Sequence, residues 1–581
     1  MKQDFTNDKK VEMITLGTVM EGLSADYLSG DATTPITGIV YDSRNAGEGD
    51  VFVALPSKQL DGHDFIADAY GRGTRCFVVE HWPGDMPAAA YCGATVVQVE
   101  STRHALALMS ASWFGFPAKK LTVVALTGTK GKTTISFMLK SVFEAAGVPV
   151  GLIGSNGVFY GETYVKMANT TPESFELHRI MADMVSYGVK VLVLEATSQG
   201  FLMHRTDGIR FDIGVYTNIA PDHISASEHS SFEEYFACKK QIFAQAGTCL
   251  VNRDADLYDR IVEGVTCPLL TYGTAPDCDY QATDIRVDHL RHGDTSSVFQ
   301  LASPAFQPTL PGTVSHGDGS PVAQPIPPIT VPTSSVILPQ AGSPTTEVSP
   351  DTAPDRLDST DPTPHTDHDI VTRFRCQGPD LDRTIELGLP GLFNVSNALA
   401  AIGVADILHL PMDTVCAGLA AARVPGRVEV VDAPAPYTIL IDFAHNRLSM
   451  EALIQAARSF NPTRILAVFG LEGNRSRARR FDCGEILGRE CAYTILADAS
   501  PRFDDPDQII ADIATGIERG GGTGKYEIIR DRRQAIPAIL DMAEPGDIVL
   551  LIGKGNVPYD EVQGVNHPLN ERQIVSDYFA R

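Results

Sequence analysis

An apolar run, LTVVALTG (residues 121–128), leads without a break into Thr127-Gly128-Thr129-Lys130-Gly131-Lys132-Thr133-Thr134 and on into TTISFMLKSVFEAAG (residues 133–147). The run reads as a buried strand. The last segment carries apolar residues at helical spacing and stops at glycine. A strand that turns through glycines into a helix makes an anion cradle, because glycine lets backbone N–H groups turn inward and a helix N-terminus favours negative charge. Lys132 is placed to reach β/γ-phosphates and the Thr133 hydroxyl to bind Mg²⁺. The spacing departs from GxxxxGK[ST], since Leu126 stands where the first glycine belongs. ATP is the expected nucleotide. A chain with a net charge of −25 offers no basic track for nucleic acid or an anionic membrane.

Around this loop strand and helix signals alternate. VFVAL (residues 51–55), CFVVE (76–80), TVVQVE (95–100), VLVLEATS (191–198) and FDIGVYTNI (211–219) read as strands. A second cycle follows from Val424, with TILIDFA, RILAVFG, YTILAD and DIVLLIG. Such alternation implies α/β architecture with a parallel sheet. Three domains are expected: an N-terminal α/β domain (1–118), a central P-loop-type ATP-binding domain (119–420) and a C-terminal Rossmann-like domain (421–581). Residues 303–369 stand apart. Between Leu301 and Ile370 lie fourteen Pro, eight acids and one basic residue, Arg356. That composition predicts disorder, a tolerated insertion whose protein partner is unknown. Its flanks, SSVFQL and IVTRFRC, read as two strands that a short hairpin could join. No apolar stretch is long enough to cross a bilayer, the first residues carry no signal core, and ten cysteines without a CxxC pair suit reduced thiols. A cytoplasmic enzyme is the expectation.

Three separated features have metal-site chemistry. Glu195 ends VLVLE, where α/β sheets place ligand-binding groups, and His223 follows the strand ending in TNI. Carboxylate and imidazole can hold Mg²⁺, whereas the free ammonium of Lys239 or Lys240 cannot.

In this order the blocks YDSRNAGEGDVFVALPSKQLDGHDF, TGTKGKTT, NTTPES, EATSQG, TNIAPDH, ACKKQIF, LPGLFNVSNALAAI, VPGRVEVV, DFAHN and LIGKGN resemble the Mur ligase family over nearly the whole chain outside the insertion. The closest branch is the one that adds the third amino acid of the peptidoglycan precursor. The resemblance implies an ATP-dependent amide ligase acting on UDP-N-acetylmuramoyl-L-alanyl-D-glutamate through an acyl phosphate, with two Mg²⁺ sites. It implies catalytic roles for Lys132, Glu195, His223 and Lys239. Thr133, Glu195, His223 and a carbamylated Lys239 are the implied metal ligands. Lys239 is preferred to Lys240 because it lies four residues before the apolar Phe243.

For ATP the resemblance implies Gly128, Thr129, Lys130, Gly131, Lys132, Thr133 and Thr134, with Asn394, Asn397, Arg427, Asp442 and His445 around the adenosine. For the uridine nucleotide and sugar-peptide it implies Tyr41, Ser43, Lys58, Gln59, Asn169, Thr170, Thr171, Thr197 and Arg205. For the incoming amino acid it implies Arg475, Ser500, Arg502 and Gly553. Departures concentrate in the last set: Ala499 and Val557 stand where the family has acids. On that ground L-lysine or L-ornithine is expected ahead of diaminopimelate. Two further readings are a folate-polyglutamate or peptide ligase of the same superfamily, and a non-catalytic scaffold acting through the Pro-rich insertion.

Overall fold

A computed structural model describes residues 14–57, 60–82, 93–222, 224, 228–290, 298–300 and 369–581. Lys58, Gln59, His223 and the segment 303–368 lie outside the described residues. Three main sheets follow one another along the chain. The first has the order β1-β5-β4-β3-β2, with β1 Ala25–Ser29, β2 Gly38–Val40, β3 Asp50–Val53, β4 Cys76–Val79 and β5 Thr95–Val99. It is parallel except for β1, which runs antiparallel to β5.

The central sheet carries β6 Thr122–Thr127, β7 Val150–Gly154, β8 Gly157–Tyr160, β9 Thr163–Val165, β10 Val191–Glu195, β11 Phe211–Tyr216, β12 Ala246–Asn252, β13 Leu269–Gly273, β14 Tyr280–Leu290, β15 Val298–Gln300, β16 Asp369–Gly378 and β17 Leu381–Leu387. Its order is β17-β16-β14-β13-β12-β11-β6-β10-β7-β8-β9. The middle is parallel, as expected, but both edges are antiparallel. β6 is buried on five of six residues, which is why its sequence is a continuous apolar run rather than an alternating one. Helices Lys132–Ala145 and Leu392–Ile407 share one apolar core with this sheet. The second is buried almost all round, so it shows no polar face.

The third sheet, β18-β19-β23-β20-β21-β22, contains β18 Glu429–Val430, β19 Thr438–Asp442, β20 Ile465–Phe469, β21 Tyr493–Leu496, β22 Tyr526–Ile528 and β23 Ile548–Ile552. A hairpin of β24 Tyr559–Val562 and β25 Val565–Pro568 closes the chain's last cycle.

The two flanks of the Pro-rich segment are strands, but they do not pair with each other. β15 and β16 both run antiparallel to β14, with Arg286 opposite Gln300 on one side and Arg373 on the other. β14 lies between them, and Asp369 is already the first residue of β16. A direct short hairpin is therefore excluded. The described ends of the two flanks, Gln300 and Asp369, lie on opposite sides of β14, about 10 Å apart sideways and roughly 13 Å along it. Replacing residues 303–368 by about ten Gly/Ser residues spans that gap. It should leave the ligation rate within about twofold and Tm within about 2 °C. A loss of more than about tenfold in ligation rate for the linker variant would show that the segment serves the site.

Candidate active site

The C-terminal ends of β6, β10 and β11 finish level, with Glu195 opposite Leu126 and Tyr216 opposite Thr127. The chain leaves β6 for β7 on one side, returns through β10, and crosses to β11 on the other. Ligands of open α/β sheets bind at such a reversal. The glycine loop sits there. Gly128 has φ +136°, and a Cβ on it would lie 1.9 Å from Thr217 Oγ1; Gly131 has φ +91°, and its Cβ would meet Asn397 Oδ1 at 2.6 Å. Helix Lys132–Ala145 starts at Gly131 with no side-chain cap, so its first N–H groups are left for a ligand. The loop is anchored from β11's exit: Asn218 accepts from Lys130 N through Oδ1 at 2.8 Å and from Thr129 N through its carbonyl at 2.9 Å.

Two lysine side chains converge on one carbonyl. Lys132 Nζ donates to Gly128 O at 2.7 Å and Lys239 Nζ donates to the same oxygen at 2.8 Å. Lys239 lies on the apolar face of helix Phe232–Gln245 with Tyr235, Phe236, Ile242 and Phe243, and is 2% exposed. Burial, and then the charge of Lys132, push its amine far below the usual lysine range. Lys240 faces the opposite way and donates to the carbonyls of Arg260 and Glu263. Tyr235, one turn before Lys239, meets Thr129 Oγ1 at 3.0 Å and fixes the helix to the loop.

Glu195 is fully buried. Its carboxylate accepts from Thr133 Oγ1 and Ser155 Oγ, each at 3.1 Å, and from Ser155 N at 3.3 Å. Carboxylate and hydroxyl oxygens around one point form a hard donor set that fits Mg²⁺. Ser155, just past β7, was not singled out from the sequence. Its position at a strand's C-terminal end was the signal available.

The far wall comes from the third sheet. His445 donates through Nδ1 to Phe443 O at 2.8 Å, which leaves Nε2 to face Lys130 Nζ at 3.5 Å. Burial, together with Lys130 and Arg479, holds that imidazole well below its ordinary range. Asp442 is raised by burial while it accepts from Val428 N and Ala444 N. Arg427 lies over the Phe443 ring at 4.9 Å. Asn397 donates to Asn394 Oδ1, and Asn394 to Pro390 O. Asn446 crosses to Asp222 at 2.9 Å and Arg475 to Glu228 at 2.8 Å, so polar contacts close the third domain on the second.

One cavity of about 620 Å³ joins these groups. Its lining includes Lys132, Thr133, Thr170, Glu195, Thr197, Asn394, Arg427, His445, Glu472, Arg475 and Arg502. Ser500 and Gly553 do not line it. Ser500 N is held by Asp560 and its hydroxyl by Glu561 N, while a Cβ on Gly553 would strike Gly470 O at 2.1 Å. Nor do Ala499, which is 2% exposed, and Val557 reach it. The acid sought at those two positions is present elsewhere: Glu472 lines the cavity between Arg502, at 3.2 Å, and Arg475, at 3.7 Å. That removes the physical argument that disfavoured diaminopimelate.

The proposed sugar-peptide residues fall at the junction of the first two sheets. Thr171 Oγ1 bonds Glu195 O and Thr197 Oγ1, Thr170 meets Ser155, and Arg205 donates to Thr171 O. Asn169 is exposed nearby in sequence. Tyr41 lies 6.2 Å from the Phe175 ring, its phenol pushed up to about 12 by burial and the nearby Glu176. Ser43 is buried in the short turn Ser43–Asn45.

Comparison with known proteins accords with this layout. Residues 35–113 match the Mur ligase family catalytic domain, 126–314 the Mur ligase middle domain and 426–555 the Mur ligase glutamate ligase domain. The UDP-N-acetylmuramoyl-L-alanyl-D-glutamate–2,6-diaminopimelate ligase of Caldanaerobacter subterraneus is 30% identical over 554 residues, 95% of this chain and 96% of that protein. The chain belongs to the Mur ligase family. The Clostridium perfringens ligase of the same name is 28% identical, covering 97% of this chain and 99% of its own. A solved structure with that name has a TM-score of 0.59 at 21% identity, spanning 98% of this chain and 99% of the other. As a Mur ligase, the chain is an ATP-dependent enzyme that joins a carboxylate to an amine as an amide. Among the described residues no helix is long and apolar enough to cross a membrane.

Proposed function

We propose that this Mur ligase works in the cytosol and adds the third residue, a diamino acid with diaminopimelate first, to UDP-N-acetylmuramoyl-L-alanyl-D-glutamate. The observation that carries the reading is the convergence of Lys132 and Lys239 on Gly128 O, with Lys132 and buried Glu195 lining the same cavity as Arg475, Glu472 and Arg502. The names of the relatives support the substrate. A carboxylate resists attack by an amine until one oxygen becomes a good leaving group. Transfer of the γ-phosphoryl group of ATP to the D-glutamate carboxylate gives an acyl phosphate and ADP. The amine then attacks the carbonyl carbon, and inorganic phosphate leaves with that oxygen.

Lys132, the loop N–H groups and the helix N-terminus hold the phosphates, and their charge favours the crowding of anions that the transfer requires. Glu195, Thr133 and His223 are the proposed Mg²⁺ ligands, with Lys239 as its carbamate. Mg²⁺, when bound, neutralises charge on the phosphates. A neutral amine reacts with CO₂ where an ammonium does not, and the burial of Lys239 supplies the neutral form. Thr170, Thr171, Thr197 and Arg205, with Tyr41, Ser43, Lys58, Gln59 and Asn169, are proposed to hold the UDP-sugar-peptide. Asn394, Asn397, Arg427, Asp442 and His445 are proposed to hold the adenosine. Mass spectrometry of the product formed from the UDP-dipeptide, ATP, Mg²⁺ and mixed amino acids tests the assignment. Absence of any ADP release stimulated by the UDP-dipeptide would reject it.

Lys130 gives the pH dependence. Burial, against the opposing pull of Asp222, lowers its amine to about 8. The charged form, present below that pH, is the one that attracts phosphate. The kcat/KM for ATP should therefore fall as pH rises through about 8, because this ratio reports the free enzyme. Lys130→Arg should keep the profile flat to higher pH. A wild-type profile without this limb would remove Lys130 from the nucleotide site.

A further inference from the structure

At the junction of the first two domains, away from the cavity, three ligand-type side chains meet. His104 lies in helix Thr102–Trp113, while His204 and Asp207 lie in the turn after helix Ser198–Leu202. His104 Nδ1 is 2.6 Å and His204 Nδ1 2.8 Å from the same oxygen, Asp207 Oδ2. The three ligand atoms lie within 4.8 Å of one another. The rings stand edge to face, 6.0 Å apart at 76°, so their Nδ1 edges converge on Asp207 without the rings colliding. His204 holds a left-handed backbone at φ +55°, a conformation that costs free energy and recurs at ligand sites. The turn is packed onto the helix, since a Cβ on Gly208 would come within 2.8 Å of Leu108.

We propose that His104, His204 and Asp207 bind one divalent transition-metal ion, zinc by donor chemistry, which ties the N-terminal domain to the central one. Two imidazoles and a carboxylate suit zinc rather than Mg²⁺, which prefers oxygen ligands. Zinc bonds of about 2.0–2.2 Å place tetrahedral ligand atoms roughly 3.3 Å apart, so the imidazole nitrogens, now 2.6 and 2.8 Å from Asp207 Oδ2, need to draw back from it by only about 0.5–0.7 Å. The His104 and His204 side chains are 45% and 42% exposed, which leaves room for water as the fourth ligand. Arg103 and Arg205, the cations beside His104 and His204 in the chain, are both paired with Glu173, and Glu80 is occupied by Thr102 at the start of the helix. His178, from helix Ser174–Tyr187, is buried and pushed down to about 4 by that burial, so it adds no charge. The other such group among the described residues, Asp61, His63 and His81, is a poorer candidate. His63 already accepts from Glu80 N through Nε2 and meets Asp61 through Nδ1.

The full-length, chelator-treated protein is titrated with Co²⁺ in excess Mg²⁺. The expected result is one Co²⁺ per chain with the intense visible absorption of tetrahedral cobalt, displaced by one equivalent of Zn²⁺. His104→Gln and His204→Gln should each weaken binding by about 100-fold, and His81→Gln should not. Weak octahedral absorption only, or binding unchanged in both variants, overturns the proposal. X-ray absorption on the wild-type zinc protein needs no variant. Two imidazoles with oxygen neighbours support the site, and sulfur neighbours overturn it. Neither readout involves ligation, so the result stands apart from the proposed function.

Discussion

Lys239→Ala should lower the ligation rate by about 10³-fold or more, on the scale of losing a group that stabilises charge in a reaction centre, while the fold persists. The buried amine contacts Gly128 O at 2.8 Å and lies 4.8 Å from the Tyr235 ring. A buried lysine beside a second lysine is unfavourable in its charged form, so removing it should leave Tm unchanged or raise it. A structural lysine would behave in the opposite way, with Tm falling and the rate nearly intact. If the working group is the carbamate, short carboxylic acids should restore part of the rate to Lys239→Ala. Exhaustive removal of CO₂ should inactivate the wild type, with recovery on adding bicarbonate. Lys240→Ala should change little, because that side chain is spent on two backbone carbonyls at the surface. Full activity of Lys239→Ala would move the role elsewhere.

The elements around this centre were legible because local rules fixed them, whereas the roles of Glu195, His223 and Lys239 came from the family resemblance. Leu126 to Thr134 could only be strand, turn and helix. Glu195 ended an apolar run, and Lys239 stood in register with Tyr235 and Phe243 on one helical face. Facts that depend on tertiary register were not legible. The apolar run of β6 revealed burial on both faces but not that antiparallel strands would flank the sheet. The flanks of the Pro-rich segment looked like partners because they were adjacent across it, whereas β14 takes both. Motif position also gave no sign of Glu472, the acid that lines the cavity between Arg475 and Arg502. Ala499 packs into the core against Gly470, and the following Ser500 and Arg502 adopt left-handed backbone, φ +49° and +56°. That twist carries the Arg502 side chain to Glu472. The turn bearing Glu472 is itself shaped by Asn474, left-handed at φ +56° and held by Asp504. No periodicity encodes such an arrangement.

The two ends of that site differ in a way that predicts selectivity. Arg475 reaches Glu228 of the central domain, so in the proposed substrate pose it is assigned the end nearer the reacting carboxylate. Arg502 contacts Glu561 of the closing hairpin at 3.3 Å and lies at the far end. An α-carboxylate paired with Arg475 points the side chain of the incoming amino acid toward Glu472 and Arg502. Diaminopimelate carries both an ammonium and a carboxylate there, whereas lysine carries only the ammonium. Arg502→Met should therefore lower kcat/KM for diaminopimelate by about 30-fold, the equivalent of roughly 2 kcal/mol for one partner of a charge pair that remains partly solvated. Lysine should lose less than about threefold, since it has no carboxylate for Arg502 to bind. Glu472→Gln should weaken both amino acids by similar factors, because both present an ammonium. Wild-type competition should favour diaminopimelate over lysine and ornithine. Equal losses for the two substrates in Arg502→Met would show that Arg502 binds the α-carboxylate instead. A wild-type preference for lysine would show that the distal carboxylate is not read at all, and would restore the selectivity first inferred from Ala499 and Val557.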